Sequence, residues 1–328
     1  TYNEIFGVSG TMRLYRYPSR NEKIFFKASK SSEINEDFVL EYKNRNFFHG
    51  LYRIHARAHF FKNSAYRFYG FGPDTTENHE SDYTHREALL RFRGGINMAD
   101  YFYLSLTERL MRMDVRPGGL DSLPNTGENF STTEGIDGYT IFSHRVDLNF
   151  DSRPNENISS HGHYLNIGYE IACRDLGGGV SLRKFFTEAK SIFNHFDGRL
   201  LTTPRILYER VFGEEVPFYE NAMLGGDKLL RGFGKGRWYD RCKILFSLEE
   251  RIQVYNSELF NVSSEWQLTP FVEYGGVGPG FGETGPDDFE FVYGLGFRAV
   301  IRPNIVGRLD VARSSEGIKV FVNLGYPY

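Results

Sequence analysis

The chain has little cysteine, no long apolar run and almost no net charge, and each shortage excludes something. Two cysteines in 328 residues rule out a disulfide-stapled secreted scaffold. No apolar stretch approaches the ~18 residues that a membrane helix needs. A formal charge of -3 gives no global cationic field to draw in nucleic acid. Neither an internal repeat nor a low-complexity tract is present, so a single domain over residues 1–328 is expected. The chain starts at Thr1 without a visible signal peptide, which reads as a processed or trimmed polypeptide whose export must be argued from the rest. A mean hydropathy of -0.44 does not imply solubility, because a membrane barrel shows lipid only at every second residue.

What is abundant is aromatic side chains, 16% of the chain, which suit strands and the aromatic girdles of membrane barrels. Apolar and polar residues alternate repeatedly. Tyr52, Ile54, Ala56, Ala58 and Phe60 interleave with Arg53, His55, Arg57 and His59. Leu165, Ile167, Tyr169, Ile171 and Cys173 oppose Asn166, Gly168, Glu170 and Ala172. Phe289, Phe291, Tyr293, Leu295, Phe297 and Ile301 oppose Glu290, Gly294, Gly296, Arg298 and Arg302. A period of two fits strands and not helices. The polar faces carry full charges beside glycine, and the apolar faces carry large aromatics. Lipid outside and a wet lumen inside account for both, with a large soluble sandwich as the alternative.

Strands are expected near 7–17, 22–31, 37–44, 51–61, 84–96, 100–113, 139–151, 163–173, 183–196, 199–212, 240–255, 264–276, 288–302, 305–313 and 317–326. Barrels of this kind usually have an even number of strands, so a sixteenth is expected near residues 1–6 or before them. The expected fold is therefore all-β, a transmembrane antiparallel barrel of about sixteen strands. Long connections fall at 62–83, 114–138 and 213–239, and the second, rich in Gly, Pro, Asn, Ser and Thr, reads as exposed and mobile. The third holds Leu224–Trp238, a glycine-rich basic segment expected to fold into the lumen from the extracellular side.

Other signals are weaker. The glycine-rich segment lacks the Gly-Lys-Ser/Thr ending of a phosphate cradle. His55 and His59 have the spacing of a helical zinc pair, but on a strand they lie ~13 Å apart and line the lumen instead. His161 and His163 flank a glycine and suit a strand edge or an interface better than a metal. No Gly-X-Ser-X-Gly elbow occurs. Cys173 and Cys242 fall on apolar faces three strands apart, ~14 Å, and are expected to be free thiols facing lipid. No catalytic residue, metal or cofactor is expected.

Leu230-Arg231-Gly232-Phe233 is similar to the Arg-Gly-aromatic signature on the inward sixth loop of the BamA/TamA superfamily of outer-membrane insertases and secretion transporters. Pro270-Phe271-Val272-Glu273-Tyr274-Gly275 resembles the strand motif whose carboxylate holds that loop arginine. Phe68–Thr75, Asp151–Asn155 and Gly307–Ala312 resemble further family stretches, and Tyr328 supplies the terminal aromatic. The resemblance runs from about residue 7 to the end, and its sixteen-stranded barrels have four strands beyond the one that the loop feeds. Many members carry Asp where this chain has Glu273, so the loop is expected to sit one methylene differently. No POTRA modules are expected before the barrel, so the expected likeness is to barrel-only members or the barrel of a patatin-like fusion.

The resemblance implies that Arg231 and Glu273 form a lock, and alternation puts Glu273 on the lumen face with Glu265, Gln267 and Thr269, opposite Trp266, Leu268, Val272 and Tyr274. Glu249, Arg251, Arg298 and Asp310 are candidates for the same network. The expected function is assembly, insertion or translocation of polypeptides in the outer membrane of a Gram-negative bacterium. A non-catalytic anchor or scaffold barrel is the alternative. A passive pore is disfavoured because the loop fills the lumen. Expected partners are lipid, client polypeptides or a periplasmic chain, with a homodimer as a further candidate; nucleic acid is not expected. The glycines of Gly7–Gly10 and the short last strand, ending near Gly325 and Pro327, are expected to make a weak seam.

Overall fold

The computed structural model describes all residues except 1, 4–6, 20, 32–33, 157, 260–261 and 302–304. Sixteen strands form one sheet. They are β1 (Tyr2–Asn3), β2 (Gly7–Ser19), β3 (Glu22–Ser31), β4 (Asn35–Phe47), β5 (Tyr52–Phe68), β6 (Ser81–Asn97), β7 (Phe102–Pro117) and β8 (Thr140–Asp151). The order continues with β9 (Gly162–Ala172), β10 (Leu182–His195) and β11 (Leu200–Phe212). Two short strands, β12 (Ala222–Leu224) and β13 (Trp238–Asp240), pair only with each other. The sheet resumes with β14 (Cys242–Leu259), β15 (Val262–Gly278), β16 (Phe289–Ile301), β17 (Ile305–Ser314) and β18 (Gly317–Leu324). Each sheet strand pairs antiparallel with its chain neighbour, and β11 pairs with β14 across the loop that carries β12 and β13. No described helix is long and apolar enough to cross a membrane.

The period of two sets which side chain faces where. On β9, Leu165, Ile167, Tyr169 and Ile171 are exposed while Asn166, Glu170 and Ala172 are buried. On β17, Leu309 and Val311 point outward while Arg308, Asp310 and Ala312 are buried. The usual arrangement is inverted: charges fill the interior and apolar side chains cover the outside, which suits a hydrocarbon solvent. Contacts between distant strands span the interior, so the sheet is rolled into a barrel. Lys43 on β4 reaches Glu156 after β8, at 2.7 Å, and Ile158 from that same turn packs on Val300 and Val306.

The expected strands are all found, most with bounds within a few residues. Residues 1 and 4–6 of the expected sixteenth strand, and Arg302, lie outside the described residues, but Tyr2–Asn3 pairs with Gly7 and Val8. The first two long connections are shorter than expected, because β5 runs on to Phe68 and β7 to Pro117. The segment 118–139 is docked and not simply exposed. The Leu120 amide donates to Asp82 Oδ2 at 2.8 Å, Thr126 is buried, and Phe130 packs edge-on against Phe68 at 4.9 Å between centroids. Both thiols are free, but Cys242 is fully buried and does not contact lipid. Arg210 of β11 lies opposite it in the ladder and donates to the Pro279 carbonyl.

Among the described residues, no ladder pairs β1 or β2 with β18. An ideal Cβ on Gly10 of β2 would meet nothing within 4 Å, and Val8, Val320 and Val322 are strongly exposed. Among the described residues, then, no strand pairing joins the two ends of the sheet.

Candidate functional site

The loop between β11 and β14 enters the barrel as a folded unit. The β12–β13 hairpin closes its base, with Ala222 opposite Asp240 and Leu224 opposite Trp238. At its tip the Gly225 amide donates to the Leu229 carbonyl at 2.6 Å, and the Gly226 amide to the Phe233 carbonyl at 3.1 Å. Leu230 is held at φ 71°, a left-handed conformation that a branched side chain adopts only when its surroundings impose it. Those surroundings are apolar: Leu230 and Phe233 are fully buried among Leu224, Trp238, Leu245 and Val292. Gly232 is required by space, since a Cβ there would lie 2.6 Å from Ser314 Cβ and 2.8 Å from Val292 Cγ2. Its carbonyl instead accepts from Ser314 Oγ at 2.8 Å.

This turn delivers Arg231 onto the lumenal faces of β14 to β17. Glu273 on β15 accepts from Arg231 Nε at 2.9 Å through Oε1, and from its backbone amide at 2.6 Å through Oε2. Glu249 on β14 accepts from Arg231 Nη1 at 2.9 Å, and Asp310 on β17 lies 3.5 Å from the same nitrogen. The guanidinium also lies over the Phe271 ring, 3.5 Å from its centroid. Charge-assisted hydrogen bonds and ring stacking both favour arginine over lysine here.

The remaining expected residues join the same cluster. Arg298 Nη1 lies 2.6 Å from Asp310 Oδ1, and its Nη2 donates to Glu249 Oε2 at 3.3 Å. Arg251 Nε donates to the other Glu249 oxygen at 2.9 Å. Arg231, Glu249, Arg298 and Asp310 have no solvent exposure and Glu273 has 1%. Such charges are tolerable only because each has opposite partners. Gln267 and Thr269 share the lumen face with Glu273, whereas Leu268, Val272 and Tyr274 are exposed on the other. Trp266 stacks on Phe297, also on that outer face.

Several participants were not singled out from the sequence. Phe271 is a large aromatic on the lumen face, where alternation led to polar residues. Arg308 lies 3.6 Å from Asp310 and also binds Asp227 of the loop, with Nη2 2.5 Å from the carboxylate and Nη1 donating to its carbonyl at 3.0 Å. Arg237 clamps the loop base: it donates to Thr75 Oγ1 at 3.0 Å and to Glu316 in the β17–β18 turn, and lies 4.6 Å from the Tyr69 ring. On the opposite wall Arg109 binds loop Glu220 through two nitrogens at 2.8 and 3.1 Å. No group of residues suited to a metal ion occurs among the described residues.

Fold and site together define a class: a sixteen-stranded barrel whose lumen is occupied by a loop tethered through a buried arginine. The chain belongs to the Omp85 superfamily, whose domain matches residues 19–318. Among solved structures, it is similar to BamA from Haemophilus ducreyi lacking POTRA domains 1–3, with TM-score 0.66 and 13% identity over 99% of this chain and 67% of that one. CdiB from Escherichia coli is similar too, with TM-score 0.64 and 12% identity over 97% and 58% of the two chains. CdiB from Acinetobacter baumannii gives 0.57 and 12%, over 99% and 58%. The chain thus spans less than two thirds of either CdiB, and at these identities the likeness is one of fold. Against curated proteins the sequence has no match.

Proposed function

We propose that this barrel resides in the outer membrane of a Gram-negative bacterium and acts on other polypeptides, assisting their insertion or translocation. The observation that carries this reading is that, among the described residues, no ladder joins β18 to β1 or β2, on a barrel whose lumen the loop occupies. A free edge is a place where another strand can add. The exposed apolar outer face supports membrane residence. In this reading the Arg231–Glu273 contact is a lock that fixes the loop, and the surrounding charge network keeps β14 to β17 in register. The protein binds and positions; it does not catalyse.

A cysteine pair placed across β2 and β18, tested reduced and oxidised, examines the reading directly. Loss of outer-membrane protein insertion or of secretion on oxidation is the expected result. A full phenotype with the crosslink formed would sink it and favour the second reading, a scaffold barrel holding a partner. The filled lumen speaks against a passive pore.

A further inference from the structure

At the short-turn end of the lumen, away from the Arg231 cluster, lies a separate cavity of about 310 Å³. Six cations line it: Lys43, Arg45, Arg53, Arg93, Arg153 and Lys190. Its carboxylates number three, Asp151, Glu156 and Glu188, in a chain whose overall charge is negative.

Two of those carboxylates are already engaged. Asp151 binds Arg153 through two nitrogens at 2.8 and 3.0 Å, and Glu188 accepts from Arg205 at 2.7 Å. Arg93 is met by Asp147, at 3.3 Å. That leaves Arg53 and Lys190, for which the described residues provide no ion-pair partner. Each rests against a tyrosine, Arg53 4.0 Å from the Tyr103 ring and Lys190 Nζ 5.1 Å from the Tyr164 ring, and Arg53 Nε also donates to the neutral Asn97 side chain at 2.6 Å. Aromatic faces hold cations in place without neutralising them.

The third carboxylate shows what this chamber accepts. Glu156 belongs to the turn between β8 and β9, and its Oε2 binds both Lys43, at 2.7 Å, and Arg45. One carboxylate is thus shared by two cations. The same turn anchors on the opposite wall, where Ile158 packs on Val300, Val306 and Tyr326. Glu156 is held below the usual glutamate range: burial raises it, and Lys43 and Arg45 more than offset that.

We propose that this chamber is an anion site for the acidic side chains of a polypeptide entering from the short-turn end, with Glu156 as a built-in occupant. An incoming carboxylate takes up Arg53 and Lys190 first, then competes with Glu156 for Lys43 and Arg45. Displacing Glu156 removes the anchor that ties its turn to β4 and widens this mouth of the barrel. The identity of the occupant rests on the proposed handling of polypeptides. The binding readout below does not involve the β2–β18 seam, so the two ideas fail separately.

The test uses the full chain in detergent micelles and a fluorescein-labelled hexaglutamate peptide, followed by anisotropy, with hexalysine and inorganic phosphate as comparators. Hexaglutamate binding that weakens with added salt is expected. The double variant R53Q/K190Q should weaken binding by roughly tenfold, in line with the loss of desolvated charge contacts. Glu156→Gln should strengthen it several-fold, because the internal competitor is gone. Heat-modifiable gel mobility checks that each variant is folded. Unchanged binding in folded R53Q/K190Q, or no gain in Glu156→Gln, overturns the proposal. Hexalysine binding as well as hexaglutamate also overturns it. If inorganic phosphate displaces the peptide at equal charge concentration, the chamber is a small-anion site and the polypeptide occupant is wrong. Should the double variant not fold, Glu156→Gln alone decides.

Discussion

Glu273 holds Arg231 twice, by side chain at 2.9 Å and by backbone amide at 2.6 Å, so one carboxylate fixes both the charge and the path of the loop. Arg231→Ala takes from buried Glu273 the cation that it binds, while Glu249 and Asp310 keep Arg298 between them. The expected loss is about 3–5 kcal/mol, the range for breaking a buried pair. Glu273→Ala should cost a similar amount, and the double variant less than the sum. Urea unfolding in detergent, with gel mobility and protease resistance, measures this. Additive losses would show that the two residues do not act on each other.

Gly232→Ala offers a steric version of the same test. The added methyl meets Ser314 and Val292 at under 3 Å, whereas at Gly234 it meets nothing within 4 Å. Gly232→Ala should destabilise by about 1–3 kcal/mol, as overpacking does, and expose Lys228 and Lys235 to trypsin. Gly234→Ala should behave like the parent. Equal trypsin sensitivity in both variants would contradict the close fit.

The cysteines report on the outer surface. Cys242 is fully buried, whereas Cys173 is partly exposed. Maleimide should label Cys173 in the folded barrel and reach Cys242 only after denaturation. Mass spectrometry of the intact chain should find no disulfide.

Ile167 sits midway along β9 and is exposed on the outer face. Ile167→Arg should lower stability in bilayers by about 2–4 kcal/mol, the range for a basic residue at the membrane midplane. In a soluble sandwich the same change would be close to neutral, so folding into lipid vesicles discriminates between the two.

The strands were legible because two different solvents act on the two faces, so every second side chain carries the same message. That message fades outside the hydrocarbon. The last turn of β5, Lys62–Phe68, contains a register shift between Asn63 and Tyr66, and its alternation breaks there. The Ser64 carbonyl left at the shift accepts from Gly119, which is how the docked segment 118–139 finds its place. Arg231 and Glu273 were readable as a pair because both sit in recognisable short motifs. Phe271 was not, since an aromatic on a lumen face makes sense only once the loop has dried that part of the interior. The partnership of Arg308 with Asp227 spans 81 residues and leaves no local trace.

Arg237 has a mechanical implication. Through Thr75 it grips the loop between β5 and β6, and through Glu316 the hairpin that ends in β18, so one side chain ties together two flanks of the sheet that lie on opposite sides of its break. Parting those flanks must either tear this clasp or drag the central plug along. By reciprocity, anything that withdraws the plug makes parting easier by the same amount of free energy.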